Sequence, residues 1–294
     1  MSRPRSSLLA ELLPRCPFPP SGSSVACAFS GGADSTALVA LAVEHGLVVV
    51  AHHVDHRLRP ESGAEADHAA QIAARLGVEF VRHTVDVAPG PNLEARARTA
   101  RRGVLPAGAL TGHTADDQAE TVLLRLLRGS GGDGLSGIAP GPQHPILGLR
   151  RAETEAVCAG LGIEPVRDAS NDSPAMWRNR VRHELLPLAT DIAGRDLAPI
   201  IARTAGLLRD DGAVLDGLAA SIDATDAVAV AQAAPAIARR AIRRWLTVDG
   251  YPPDAASIER VIAVARGEAV ACELSDGRRV ERSKQRFRIA TRGQ

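Results

Sequence analysis

Val25-Ala-Cys-Ala-Phe29, Ser30-Gly31-Gly32-Ala33-Asp34-Ser35, then Thr36-Ala-Leu-Val-Ala-Leu-Ala-Val43: an apolar run, a polar glycine turn and a second apolar run. The pattern predicts a strand, a tight loop and a helix in immediate succession. Gly31 and Gly32 carry no Cβ, so the backbone can come close to a ligand. Loop N–H groups and the first helical turn converge at the positive end of the helix dipole, a seat suited to phosphate. Ser30 and Ser35 add hydroxyl donors. A Walker loop needs a lysine after its last glycine, and the one lysine here, Lys284, lies near the other end of the chain. Asp34 stands where a cation would meet phosphate. A carboxylate among polyphosphates implies a divalent cation between them, most naturally Mg²⁺. The plainer alternative is a Gly-Gly turn with Asp34 and Ser35 opening a helix.

Beyond this unit, strand and helix patterns alternate to about residue 160, as in βαβ units with a parallel sheet. Leu47–Ala51 is a continuous apolar run suited to a buried strand. It ends in His52-His53-Val54-Asp55-His56, polar residues at the strand end where open α/β sheets bind ligands. A helix is expected over 62–76, a strand over 78–87, and an Ala-rich helix over 92–102 carrying Arg96, Arg98, Arg101 and Arg102. A fourth strand is expected over 109–113, a helix over 115–127, a glycine loop over 128–134, a fifth strand over 145–149 and a helix over 153–161. The Arg167–Asp172 segment is turn chemistry, and Trp177–Arg182 enters a helix ending near Pro187. From about residue 191 helical spacing dominates, and the alternating tail closes as a small hairpin. The boundaries are therefore 1–190 for an α/β nucleotide-binding domain and 191–294 for a smaller, mainly helical one.

Composition narrows the class. At 294 residues, 45% hydrophobic and with formal net charge +1, the chain fits an ordinary two-domain globular protein. Net charge does not announce a nucleic-acid partner, and 2% aromatic residues argue against extensive base stacking. Cys16, Cys27, Cys158 and Cys272 form no CxxC, which reads as reduced packing cysteines in the cytoplasm. Glu11 and Pro14 interrupt the start before a signal-peptide core forms, and no membrane span is expected.

The helix opening at Ala115 is the second anchor. Asp117 and Glu120, three apart, and Asp116 and Glu120, four apart, share one helical face. First-turn acids also complement the dipole, but His113, Asp34 and Asp55 fall on the same sheet edge. Such a concentration is costly unless a metal or a cationic substrate neutralises it.

SGGADS resembles the pyrophosphate loop of the N-type ATP pyrophosphatases. With HVDHRLRPESGAEAD, NLEARARTAR, GHTADDQAET, RGSGGDGLSG, DASND and RNRVRHELLP it follows the motif order of the tRNA(Ile)-lysidine synthetases. The resemblance covers about residues 24–188 and implies an adenine nucleotide alpha hydrolase-like fold with a helical tRNA-binding tail. It implies adenylation of the wobble cytidine of a CAU-anticodon isoleucine tRNA by ATP, with Mg²⁺ on Asp34. The amine of free lysine would then displace AMP. Ser30–Ser35, Asp55 and His56 would hold ATP or the cytosine. Asp117 and Glu120 would hold lysine's ammonium and accept a proton, with Asp116 and His113 in support. Arg96 or Arg98 would grip the lysine carboxylate or the nucleotide, or else form a solvated face. Arg178, Arg180 and Arg182 resemble a tRNA-contacting or domain-linking segment, with pairing to Glu184 and Asp172 as the alternative. Arg282 and Arg286, in a basic tail ribbon facing only Asp276 and Glu281, would meet tRNA phosphates.

Arg102 stands where the family usually has tyrosine, and His144 where arginine is common, so nucleotide positioning departs there. The tail is short for a second C-terminal domain, and the expected state is a monomer or homodimer. Two rivals remain: a tRNA thiolase of the same loop class, which would use paired cysteines, and a non-catalytic tRNA-binding protein.

Overall fold

A computed structural model describes residues 7–57, 62–86, 93–166 and 176–291. The turn at 167–172, the Arg98 side chain and Arg292 lie outside the described residues. The chain divides into two compact units, Met1–Ala205 and Gly206–Gln294.

In the first unit α1 (Ser7–Leu12) leads to β1 (Ser24–Ala28), α2 (Ala33–Glu44), β2 (Val48–Asp55), α3 (Ser62–Leu76) and β3 (Glu79–Thr84). The strands form a parallel sheet in the order β1-β2-β3, with Cys27 opposite Ala51 and Ala51 opposite Phe80. Parallel pairing follows from the helix in each connection, which returns the chain to the same end of the sheet. The apolar face of α2 is buried almost throughout, with Leu38, Val39 and Leu41 packed among Phe29, Leu149 and Val157. Burying three such side chains contributes on the order of 6 kcal/mol, enough to fix the helix behind its glycine loop.

Next come α4 (Leu93–Val104), α5 (Ala115–Leu127), the single turn α6 (Gly132–Leu135), α7 (Arg151–Gly160) and α8 (Trp177–Arg180). A π-turn, Val181–Leu185, runs into α9 (Leu186–Ala193). Several expectations need correction. The fourth strand is one parallel bridge, Leu110 to Cys27, flanked by Gly108 and Gly112. The fifth is a turn: Ile146 and Leu149 are buried as core plugs without joining a ladder. The glycine loop holds a helical turn because Arg125 donates to the Gly134 and Gly137 carbonyls, both at 2.8 Å. Pro187 continues a helix, since its missing N–H falls in the first turn of α9.

The second helical run is α10 (Ala198–Ala220), which begins in the first unit and ends in the second. There α11 (Ala227–Gln232), α12 (Pro235–Leu246) and α13 (Ala255–Arg266) pack around Ile242, Leu246 and Val261. The tail closes in the expected antiparallel hairpin, β5 (Arg278–Ser283) and β6 (Arg286–Thr291), which β4 (Ala271–Glu273) widens to a three-stranded sheet. Its basic ribbon is more engaged than expected. Arg279 pairs with Glu273 and Glu281, and Arg286 with Asp223. Arg282 donates to the Val264 and Ala265 carbonyls, satisfying the end of α13. Among the described residues no helix is long and apolar enough to cross a membrane.

Candidate active site

The glycine loop is shaped by its own side chains. Ser35 Oγ accepts from the Ser30 N–H at 3.2 Å and donates to the Gly32 carbonyl at 3.0 Å. Thr36 Oγ1 donates to the Gly31 carbonyl at 3.1 Å. Gly31 has φ +81°, and a Cβ there would meet Val166 Cγ2 at 2.7 Å, so both conformation and space demand glycine. Gly112, which sequence reading passed over, presses on the same loop: a Cβ on it would lie 2.9 Å from the Asp34 backbone.

Asp34 accepts from Thr154 Oγ1 at 2.5 Å and faces Arg151 Nε at 3.8 Å. Burial pushes its carboxyl up to about 6, against the Thr154 hydrogen bond. An anion this short of compensation, beside a phosphate-shaped loop, fits a hard cation held by oxygen. Among the described residues no cluster of three or more His, Cys, Asp or Glu could hold a metal alone. Asp34 is the carboxylate that would hold Mg²⁺, whose remaining ligands are ordinarily phosphate oxygens and water.

The carboxylates on α5 are divided in role. Thr114 and Asp117 form a capping box, with Asp117 Oδ2 accepting from the Thr114 N–H at 2.8 Å. Asp116 accepts two hydrogen bonds from Arg150, at 2.9 and 2.8 Å, and one from the Arg151 N–H at 2.8 Å. It therefore ties α5 to the start of α7. Glu120 is 0% exposed and accepts from Arg182 Nε at 2.7 Å, Arg178 Nε at 2.9 Å and Arg151 at 3.1 Å. Arg178 also donates to Asp117 at 2.8 Å. Arg178 and Arg182, read from sequence as tRNA contacts or partners of Glu184 and Asp172, thus lie against the acidic pair, while Arg180 pairs with Glu184. Burial opposes ionisation of Asp117, but Arg178 and Arg151 outweigh it and hold its carboxyl below the usual range.

Arg150, Arg151, Arg178 and Arg182 lie against this acid concentration and counter its charge. Arg150, Arg151 and Thr154 were missed. One signal existed: paired arginines opening a helix oppose its dipole and need a carboxylate partner.

Asp55 is buried at the end of β2. It pairs with Arg82 at 2.7 Å and accepts from the Arg57 N–H at 2.9 Å. Despite burial these bonds hold its carboxyl down to about 2. His56 Nδ1 is buried without a hydrogen-bond partner among the described residues. Arg96 is half-buried on α4. Thr111 Oγ1 bonds His113 Nδ1 at 2.8 Å and His144 Nδ1 at 2.6 Å. Burial pushes His113 down to about 4, so it is neutral near pH 7. Beside these groups opens a cavity of about 1420 Å³, lined among others by His56, Arg102, His113, His144, Trp177 and Arg178. Its described lining holds five arginines and three histidines and no carboxylate. The two departures from the family pattern, Arg102 and His144, both face this space.

Residues 7–189 match the PP-loop domain family. The chain is 46% identical over 242 residues to the tRNA(Ile)-lysidine synthase of Rhodococcus opacus, covering 77% of this chain and 74% of that protein. To the tRNA(Ile)-lysidine synthase of Nocardia farcinica it is 42% identical over 299 residues, covering 94% of each. Among solved structures it is similar to the U34-tRNA thiolase NcsA from Methanococcus maripaludis with its 4Fe–4S cluster. That likeness has a TM-score of 0.52 at 16% identity, covering 69% of this chain and 78% of the other, and shows the fold alone.

Proposed function

The chain belongs to the tRNA(Ile)-lysidine synthase family, a group of ligases built on an ATP-using PP-loop domain, and from that premise we propose that it joins free lysine to C2 of a wobble cytidine. In this reading the substrate is the isoleucine tRNA with a CAU anticodon. The cytosine C2 oxygen attacks the α-phosphate of ATP, pyrophosphate departs, and the amine of lysine then attacks C2 and expels AMP. A ring oxygen leaves poorly until adenylation makes it a good leaving group.

The observation that carries the reading is the reach of Arg151. One guanidinium lies 3.8 Å from Asp34, 3.4 Å from Asp117 and 3.1 Å from Glu120. The phosphate loop and the carboxylate pair are thus close enough for both half-reactions to share one centre. Loop N–H groups from Ser30 to Ser35 stabilise charge growing on pyrophosphate. Asp34 would hold Mg²⁺, which when bound supplies neutralisation of the phosphate oxygens. Asp117 and Glu120 bind lysine's ammonium and take its proton before attack, while Asp116 fixes the helix they stand on. Residues 1–190 would form the catalytic domain and 191–294 the tRNA-binding domain.

A thiolase reading finds less support. Cys27 is fully buried, and burial pushes its thiol up to about 12, far from the thiolate that sulfur chemistry needs.

The test supplies ATP, Mg²⁺, CAU-anticodon isoleucine tRNA and radiolabelled lysine to the purified chain. Label in the tRNA, dependent on ATP, supports the proposal. Incorporation only with a sulfur donor, or none, rejects it.

A further inference from the structure

Resting on the reading of Asp117 and Glu120 as the ammonium site, we propose that Arg178 holds that ammonium's place until RNA phosphate draws it away. Lysine then binds more tightly once RNA is in place.

The carboxylate pair is saturated. Glu120 Oε1 accepts from Arg182 and Arg151, and Oε2 from Arg178. Asp117 Oδ1 accepts from Arg178 and Arg151, and Oδ2 from Thr114. Three guanidiniums already surround two negative charges. Adding a further cation would gain little attraction and meet three like charges at short range. Replacing one guanidinium by the ammonium keeps the balance intact.

Arg178 is the one of the three that also lines the 1420 Å³ cavity. That cavity, cationic and without a carboxylate in its described lining, attracts a polyanion. It exceeds the roughly 300–1,000 Å³ of ordinary small-molecule sites, which favours a single-stranded nucleic-acid segment. Trp177, next to Arg178 and 61% exposed, offers an aromatic face on which a base can stack. A phosphate entering there gives Arg178 a new bidentate partner. Its withdrawal frees Glu120 Oε2 and one contact on Asp117 Oδ1 for the amine. By linkage, lysine must then tighten RNA binding as much as RNA tightens lysine binding.

Calorimetry of lysine binding to the whole chain, alone and with saturating CAU-anticodon isoleucine tRNA, tests this. Wild type should bind lysine about tenfold more tightly with tRNA. Arg178→Gln should bind lysine alone as tightly as wild type does with tRNA, and Arg178→Lys should remain weak alone. Equal wild-type affinity with and without tRNA, or an unchanged Arg178→Gln, overturns the proposal. Should Arg178→Gln fail to fold, the wild-type comparison decides. Glu120→Gln separates the two levels. If it still binds lysine normally, the ammonium reading falls and this proposal with it. If it does not, an uncoupled wild type overturns the Arg178 proposal alone.

Discussion

Thr154 Oγ1 donates to Asp34 Oδ1 at 2.5 Å, joining the start of α7 to the glycine loop across 120 residues of chain. That bond only partly offsets the burial of Asp34, whose carboxyl rises from 3.8 to about 6. The folded chain thus holds a proton there more tightly than the unfolded chain. Stability therefore falls as pH rises from about 4 to 6, then levels off. Asp34→Asn removes this cost and should stabilise the chain at pH 7 by on the order of 3 kcal/mol. The same variant should release no pyrophosphate. Urea titrations at pH 4 and 7, beside a pyrophosphate assay, check both halves.

Gly112→Ala places a methyl group against the Asp34 and Ser35 backbone. Overpacking of this kind costs about 1–3 kcal/mol. Because the strain falls on the phosphate loop, KM for ATP should rise more than Tm falls. Nucleotide titration of the variant measures it, and unaltered ATP affinity would place the loop elsewhere.

Asp116 and Glu120 should separate on substitution. Glu120→Gln leaves three guanidiniums with a weakened partner, costing roughly 3 kcal/mol and abolishing lysine transfer. Asp116→Asn weakens the tie to Arg150 and should lower Tm while leaving KM for lysine in place. Thermal melts and lysine kinetics on the two variants distinguish a positioning carboxylate from one that meets substrate.

Arg282→Ala should be read out as stability. Its guanidinium completes the last turn of α13, so its loss costs on the order of 1 kcal/mol. Arg286→Glu, on an exposed pair with Asp223, should instead lower the salt slope of tRNA binding by about 1. A filter-binding series from low to moderate salt resolves the two effects.

β1, α2 and β2 were legible because long apolar runs leave few alternatives to burial. Segments 109–113 and 145–149 were not, because their apolar residues satisfy the core without a ladder partner. Among the described residues Leu110 makes a single bridge and Ile146 none. The acids of the site could be read from their spacing on one helix. Their counter-charges could not, since Arg151 reaches Glu120 across 31 positions and Arg182 across 62. In an arginine-rich chain no local pattern marks which guanidinium will make such a crossing.

The hydroxyl bonds inside the Ser30–Ser35 turn have a further effect on the proposed reaction. A seat finished before its guest arrives accepts the by-product as readily as the reactant's tail. Inorganic pyrophosphate should compete with ATP for it, and turnover then depends on whatever hydrolyses that by-product in the surroundings.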